Sequence, residues 1–369
     1  MKHTTRFVAL DAFRGLTIAG MILVNTPGSW AYVYPPLRHA AWHGWTPTDL
    51  VFPFFLFIMG TAMWLSFGKF DHKPSPTLLK KIARRVVLIL LIGWALHAFP
   101  FVRDYASFRF MGVLPRIALA YGAASLLCLF LDEKKLLLTA AAILVGYWLL
   151  LWGFGGEDPF SLETNLARRV DVFVFGEAHI YKGFGIPFDP EGLLSTLPAV
   201  VTVIAGYFTG KLIKTAASLE AAVLKMFLWG TAAMLGGVLW DVVFPINKPL
   251  WTSSYVLFTA GFALVGLAWF VWIMDIRGRT RWAQPLLVYG MNSLFAYVLS
   301  IFWVLVLIRL VKIPMPDGST TTGYTWLYTH IFVPLAGPMN GSLLFALAHI
   351  VLFWLILLIL YRKNILIKI

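Results

Sequence analysis

Long apolar runs alternate with short polar ones along the chain, and the runs share a common length. Stretches at 8–28, 48–68, 79–99, 111–131, 135–153, 193–213, 220–240, 252–274, 284–311 and 343–361 lie near the roughly 20 residues that an α-helix needs to cross a bilayer. The ninth is long enough to tilt or project. The pattern predicts an all-α polytopic transmembrane helical bundle of about ten spans. No repeat and no boundary splits the chain, so residues 1–369 read as a single domain. Three connections, 29–47, 154–192 and 312–342, are long and fall on the same side of the bundle. The middle one mixes glycine, charges and aromatics and reads as an ordered cap, since true linkers carry fewer aromatics. Residues 324–337, "YTWLYTHIFVPLAG", are too short to cross and read as a re-entrant or interfacial helix.

Composition agrees with the pattern. With 60% hydrophobic and 13% charged residues, a soluble fold lacks enough polar side chains to cover its surface, whereas lipid accepts apolar faces directly. The net charge of +13 is spread over short connections and reflects scarce acids rather than a basic nucleic-acid surface. One side of the alternation receives Lys2, Arg6, the cluster Lys69, Lys73, Lys80, Lys81, Arg84 and Arg85, and further bases through Lys368. The other receives fewer, among them Arg38, Arg103, Arg109, Lys248 and Arg309. By the positive-inside rule both termini are expected in the cytoplasm and the three long loops outside. The first run carries Asp11 and Arg14 and lacks a convincing cleavage site, so it is expected to remain as a span. Cys128 stands alone, which excludes an intramolecular disulfide and any cysteine-rich metal site.

Several polar side chains occupy positions that are costly in lipid. Asp11 and Arg14 sit three residues apart on one face of the first span and can pair; Arg14 can alternatively meet an anionic ligand. Asn25 near that span's outer end both donates and accepts, either as interhelical glue or as part of a site. His39, with Asp49 at the start of the second span, offers an imidazole and a carboxylate for one pocket, although Asp49 is also a natural helix cap. His43 adds a second imidazole. Trp42 and Trp45 read as interfacial anchors. Two histidines without cysteine and with scattered carboxylates make a poor metal set, so none is expected. Arg116 and Asn292 lie within spans. Asp171, His179, Tyr181, Asp189 and Glu191 in the outer loops suit a hydroxyl-rich or amine-bearing ligand, although "FDPEG" can equally be a turn. Dinucleotide, Walker, zincin and nucleophile-elbow motifs are all absent.

The blocks "LDAFRGLTIAGMILVN", "RHAAWHGWTPTDLVFPFFLFIMG", "GVLPRIALAYG", "FDPEGLLSTLPAV", "PINKPLWTSSYVLFTAG" and "YGMNSLFAYV", in this order, resemble the heparan-alpha-glucosaminide N-acetyltransferase family and its shorter bacterial relatives. The resemblance runs from about residue 7 to 300 and is less distinct over the last 70 residues. The large extra-membrane amino-terminal region and additional first span of the animal enzymes are not expected here. The resemblance implies a transmembrane acetyl shuttle, with acetyl-CoA as cytosolic cosubstrate and a glucosamine-type amine on the outer face as acceptor. It places the active histidine at His39 within "RHAAW", with Asn25 and Asp49 at matching positions. Asp171 and His179 correspond by the spacing in "VDVFVFGEAH". His43 departs from the family pattern, in which that position is often Asn, so the catalytic role is not assigned to it and its own role stays open.

On that reading, His39 acts either as a base on the amine or as an acetyl carrier, Asp49 supports it, and Asn25 donates to the oxyanion. Arg14 and Asn292 are expected to bind CoA, while Asp171, His179, Asp189, Glu191 and Arg116 are expected around the acceptor sugar. The acceptor is expected to be an amino sugar or small glycan, the location a bacterial inner membrane, and the surroundings lipid; the resemblance also suggests a homodimer. Intramembrane polar residues alone equally fit a solute or proton-coupled transporter, with Asp11, Arg14 and Asn292 lining a pathway gated by His39.

Overall fold

Helices form where the apolar runs fall. The computed structural model describes residues 7–102 and 105–367; Lys2, Arg6, Arg103 and Lys368, counted in the charge asymmetry, lie outside the described residues. The main helices are α1 (Val8–Asn25), α2 (Val51–Phe67), α3 (Pro76–Ala98), α4 (Val113–Phe130), α5 (Glu133–Phe154), α6 (Leu166–Phe175), α7 (Thr196–Thr215), α8 (Leu219–Asp241) and α9 (Ser253–Phe270). They are followed by α10 (Gln284–Met291), α11 (Ser293–Leu305), α12 (Gly323–Leu327) and α13 (Val333–Arg362). Among the described residues nine helical segments are long and apolar enough to cross a membrane. The remaining expected span, 79–99, is α3. Its 23 residues reach about 34 Å, but Lys80, Lys81, Arg84 and Arg85 fill its first half. The chain is an all-α, polytopic integral membrane protein; among the described residues its strands are the short hairpin β1 (Lys312–Pro314) and β2 (Thr320–Thr322).

Two departures from the expected spans have local causes. The ninth span is broken at Asn292, whose backbone leaves the helical region (φ −127°, ψ 47°), so that α10 packs against α1 and only α11 continues onward. The expected 324–337 segment is helical through α12 and the start of α13, then turns at Gly337 (φ 76°) ahead of Pro338. It folds back on the loop after α1, where Tyr324 donates to Pro27 O (2.6 Å) and Ser29 N donates to Ser342 Oγ (3.1 Å).

Glycines allow the central helices to approach closely. A Cβ on Gly60 of α2 would fall 1.9 Å from Val203 O of α7, and one on Gly206 would fall 1.9 Å from Phe57 O. The same device joins α1 to α10, where Gly15 faces Leu286 O and Gly290 faces Asp11 O. Without a hydrophobic drive between helices in lipid, such close backbone contact supplies much of the association. The outward faces of α5 and α8 keep Leu137, Leu138, Leu224, Leu228 and Leu239 exposed, as lipid requires.

The five connections that follow α1, α3, α5, α8 and the α11 segment meet one another at one end of the bundle. Trp42 Nε1 donates to Phe160 O (2.9 Å), Gly44 N to Ile246 O (2.8 Å), Arg109 pairs with Asp189, and Arg309 donates to Phe99 O. The middle connection is an ordered cap. Fully buried Asn165 caps α6 by accepting from Arg168 N (2.8 Å) and donates back to Ser161 O and Leu162 O. Trp42 therefore does not act as a lipid anchor; its ring packs edge-on against Phe184 and Phe188 of this cap.

Candidate active site

The connection between α1 and α2 is stiff before any function is considered. Pro35, Pro36 and Pro47 start short 3-10 turns, Arg38 Nε donates to Val33 O (2.7 Å), and Thr46 Oγ1 donates to Arg38 O (2.6 Å). This frame brings His39 back onto Asp49, with Nδ1 and Oδ1 2.6 Å apart. The two readings of Asp49 divide between its oxygens. Oδ2 accepts from Ala40 N (3.0 Å) and Thr46 N (3.1 Å) and so closes the turn at the helix start, while Oδ1 holds the imidazole. Asp49 is 1% exposed, whereas the His39 side chain is 40% exposed: the carboxylate is locked in protein and the ring is open to a ligand. With the Nδ1 proton directed at Asp49, Nε2 keeps its lone pair.

A third group arrives from the far side of the sequence. Lys248, in the turn between α8 and α9, places Nζ 3.0 Å from His39 Nδ1, 3.4 Å from Nε2 and 3.4 Å from Asp49 Oδ1. Burial pulls this lysine down from its usual range, opposed by Asp49 and Glu191. Its turn is built with no slack. Asn247, fully buried, donates from Nδ2 to Trp42 O (2.9 Å) and accepts from Leu250 N (2.7 Å), and Trp251 is fully buried in a left-handed conformation (φ 52°). His43 lies 3.4 Å from the Asn247 amide, which makes it a neighbour of this turn rather than of His39; burial lowers its pKa from the usual histidine value. Below, Tyr255 of α9 donates to Asp49 O (2.5 Å).

The expected acceptor residues form a second cluster in contact with the first. Arg109 binds Asp189 through two bonds (2.8 and 2.7 Å) and Glu191 through one (2.6 Å); these carboxylates raise its pKa further, against the effect of burial. The turn considered for Asp189 and Glu191 is present as well, since Glu191 N donates to Asp189 Oδ1 (3.0 Å). Arg116, fully buried, donates to Ser195 Oγ and Gly192 O and lies 5.0 Å over the ring of Trp251, which ties this cluster to the Lys248 turn. Asp171 accepts from Leu193 N (2.8 Å) through one oxygen, while its other oxygen is buried without a hydrogen bond beside Gly192. Burial pushes its carboxyl up to about 7. His179 stands at the edge, its Nδ1 2.7 Å from Phe108 O, next to a cavity of 280 Å³ walled by Tyr105, Phe108, Arg109 and Tyr181.

Three expected residues remain. Asn25 ends α1 exposed and its side chain makes no hydrogen bond among the described residues, so its amide is available. Arg14 pairs with Asp11 (3.0 Å), as their spacing predicts, and reaches Gly290 O (3.5 Å). Asn292 is 3% exposed and is held by the carboxy-terminal stretch: its Nδ2 donates to Ile365 O (2.9 Å) and its Oδ1 accepts from Ile367 N (2.8 Å). Sequence reading missed Lys248. The available signal was a lone basic residue in the short turn "PINKPLW" between two apolar spans. No cluster of three or more metal-ligating side chains occurs among the described residues.

Comparison with known proteins adds the family. The chain is 29% identical over 350 residues to the Homo sapiens protein named heparan-alpha-glucosaminide N-acetyltransferase, covering 79% of this chain and 52% of that one. It is 27% identical over 354 residues to the Mus musculus protein of the same name, covering 80% and 53%. The chain thus spans about half the length of these curated relatives. The family model described as heparan-alpha-glucosaminide N-acetyltransferase, catalytic, matches residues 6–238, which include His39, Asp49, Asp171 and Asp189. With well over half of its length matched by that model, the chain belongs to the heparan-alpha-glucosaminide N-acetyltransferase family.

Proposed function

We propose that the chain is a transmembrane N-acetyltransferase that moves acetyl from acetyl-CoA, entering from the cytoplasm, to the amine of a glucosamine-type sugar on the opposite face. The observation that carries the proposal is the His39–Asp49–Lys248 cluster, in which a buried carboxylate fixes an accessible imidazole. Family membership supports the acyl-transfer chemistry, and the excess of basic residues at the opposite end supports the proposed sidedness.

Transfer from a thioester needs a neutral amine and a stabilised tetrahedral oxyanion. His39 Nε2 either takes the amine proton or accepts acetyl in the first of two displacements; in both routes Asp49 holds the tautomer and supports the positive charge that develops on the ring. Asn25 supplies a free amide for the oxyanion. Tyr181, stacked 4.8 Å from Arg109, together with Tyr105 and Phe108, offers flat faces for a sugar ring, and Asp189 and Glu191 supply anionic edges for its amine. At the other end, Arg14 and the Lys69–Arg85 bases suit the CoA phosphates. A contact between Asn292 and the pantetheine arm requires the carboxy-terminal stretch to leave that amide.

The test is acetyl-CoA-dependent acetylation of a panel of amino sugars by the purified chain in detergent, where no gradient exists. Transfer to glucosamine or a glucosamine-ended glycan is expected. No transfer to any amine, with solute uptake in proteoliposomes instead, would replace this reading with that of a transporter.

A further inference from the structure

The Lys248 ammonium sits closer to the reacting nitrogen than its position in sequence suggests, and the structure holds it there firmly. Nζ is 3.4 Å from His39 Nε2 and 3.4 Å from Asp49 Oδ1, and the lysine side chain is 17% exposed. The turn that carries it is fixed by the buried Asn247, Leu250 and Trp251, and Asn247 also bonds the backbone of the His39 loop at Trp42. Nζ is also 3.0 Å from Nδ1, so the ammonium stands against the ring as well as against Asp49. A cation beside Nε2 is poorly placed to assist binding of an ammonium-bearing sugar, and well placed to meet negative charge that forms at that nitrogen.

Resting on the acetyl-transfer reading above, we infer that Lys248 is a third catalytic residue, its ammonium stabilising the oxyanion of the tetrahedral intermediate at His39. In direct transfer the amine nitrogen bonds to the thioester carbon, the carbonyl electron pair moves onto oxygen, and the amine proton passes to His39 Nε2. The oxyanion then collapses, the C–S bond breaks, and the departing CoA thiolate takes the proton from His39. In the two-displacement route Nε2 makes the first C–N bond and the thiolate leaves. The amine then repeats the addition on the acetyl-imidazole and displaces Nε2. In the two-displacement route the oxyanion is two bonds from Nε2, and in direct transfer it is held beside Nε2 through the attacking amine and its proton; Lys248 meets it in each. A preorganised cation costs no reorganisation at that moment, and loss of such a donor slows catalysis by about 10²–10³-fold where it has been measured.

The experiment compares wild type, Lys248→Met and Lys248→Arg as purified protein in detergent, with initial rates over acetyl-CoA and glucosamine concentrations and a thermal melt of each. Expected are a fall in kcat of about 10²–10³-fold for Lys248→Met with both KM values within about threefold, and recovery to within about tenfold of wild type in Lys248→Arg. If Lys248→Met does not fold, Lys248→Gln, which keeps a hydrogen-bond donor toward Asp49 without the charge, takes its place with the same expectation. An uncharged variant with wild-type kcat, or one whose loss lies in KM alone, overturns the assignment while leaving the acetyltransferase reading intact. A wild type inactive on every amine overturns both.

Discussion

Replacing Asp49 by Asn changes one atom and separates the roles of its two oxygens. The groups facing this carboxylate are His39 Nδ1 at 2.6 Å, Ala40 N at 3.0 Å, Thr46 N and Thr46 Oγ1 at 3.1 Å and Lys248 Nζ at 3.4 Å; with the ring proton on Nδ1 all can donate, and only the Thr46 hydroxyl can also accept. An amide must point its NH₂ group at one of these sets. Turned toward His39, it can bond the ring only if the proton moves from Nδ1 to Nε2, and Nε2 then neither accepts a proton nor attacks. An equivalent exchange in a serine-protease triad lowers kcat about 10⁴-fold through the wrong tautomer. Turned toward Ala40 and Thr46, it leaves two part-buried backbone N–H groups unpaired at about 1–3 kcal/mol each, whereas turned toward His39 it gives up only the longer Lys248 contact, so the first orientation is favoured. The assay is the initial rate of acetyl transfer to glucosamine in detergent, with kcat and KM separated and a melt to confirm folding. A folded Asp49→Asn protein within tenfold of wild-type kcat refutes the tautomer argument. Asp49→Ala serves as the contrast: it removes the acceptor for the Ala40 and Thr46 N–H groups as well as the charge facing Lys248, so it is expected to melt lower than Asp49→Asn, with a total loss of about 3–5 kcal/mol.

Other outcomes follow from the neighbouring groups. Asp171, with its carboxyl raised to about 7 by burial, holds its proton in the fold where the unfolded chain, near 3.8, has lost it. Its contribution to stability is full below about pH 4 and declines as pH rises toward 7, by roughly 1.4 kcal/mol per pH unit. Asp171→Asn should therefore flatten that part of the melting-temperature profile, and an unchanged profile contradicts the assignment. Arg109→Met leaves Asp189 and Glu191 buried without their cation and should lower the melting temperature sharply, with partial recovery when Asp189→Asn and Glu191→Gln are added. A melt unaffected by Arg109→Met removes that pair from the account. Asn25→Ala should slow transfer by the order of 3 kcal/mol at the barrier, about 10²-fold, with little effect on the melt because the amide bonds nothing among the described residues; equal rates would exclude it from the oxyanion site.

The legible parts of this molecule are those in which sequence distance is short. Asp11 and Arg14 pair because an i, i+3 spacing leaves them on one helical face, and His39 meets Asp49 across a ten-residue, proline-stiffened connection. The pairing of Lys248 with His39 was illegible because 209 residues separate them, and the close packing of α8 on α9 rather than any local pattern sets the lysine's turn in place. The capture of Asp189 and Glu191 by Arg109 is hidden for the same reason, as is the contact of Asn292 with Ile365 and Ile367. The break at Asn292 lies inside a continuous apolar run, where hydropathy carries no sign of a helix end. Trp42 was misread because an aromatic ring at a membrane edge and one packed beneath a cap share the same sequence context.

The central claim is that His39 is the acetyl-transfer centre, and the most direct measurement of it is transfer by His39→Ala and His39→Asn. Folded protein of each, confirmed by a melt and by retained acetyl-CoA binding, is given radiolabelled acetyl-CoA and glucosamine in detergent. The account predicts that wild type acetylates the sugar while both variants bind acetyl-CoA and transfer none above background. Variants that acetylate glucosamine at the wild-type rate would contradict it.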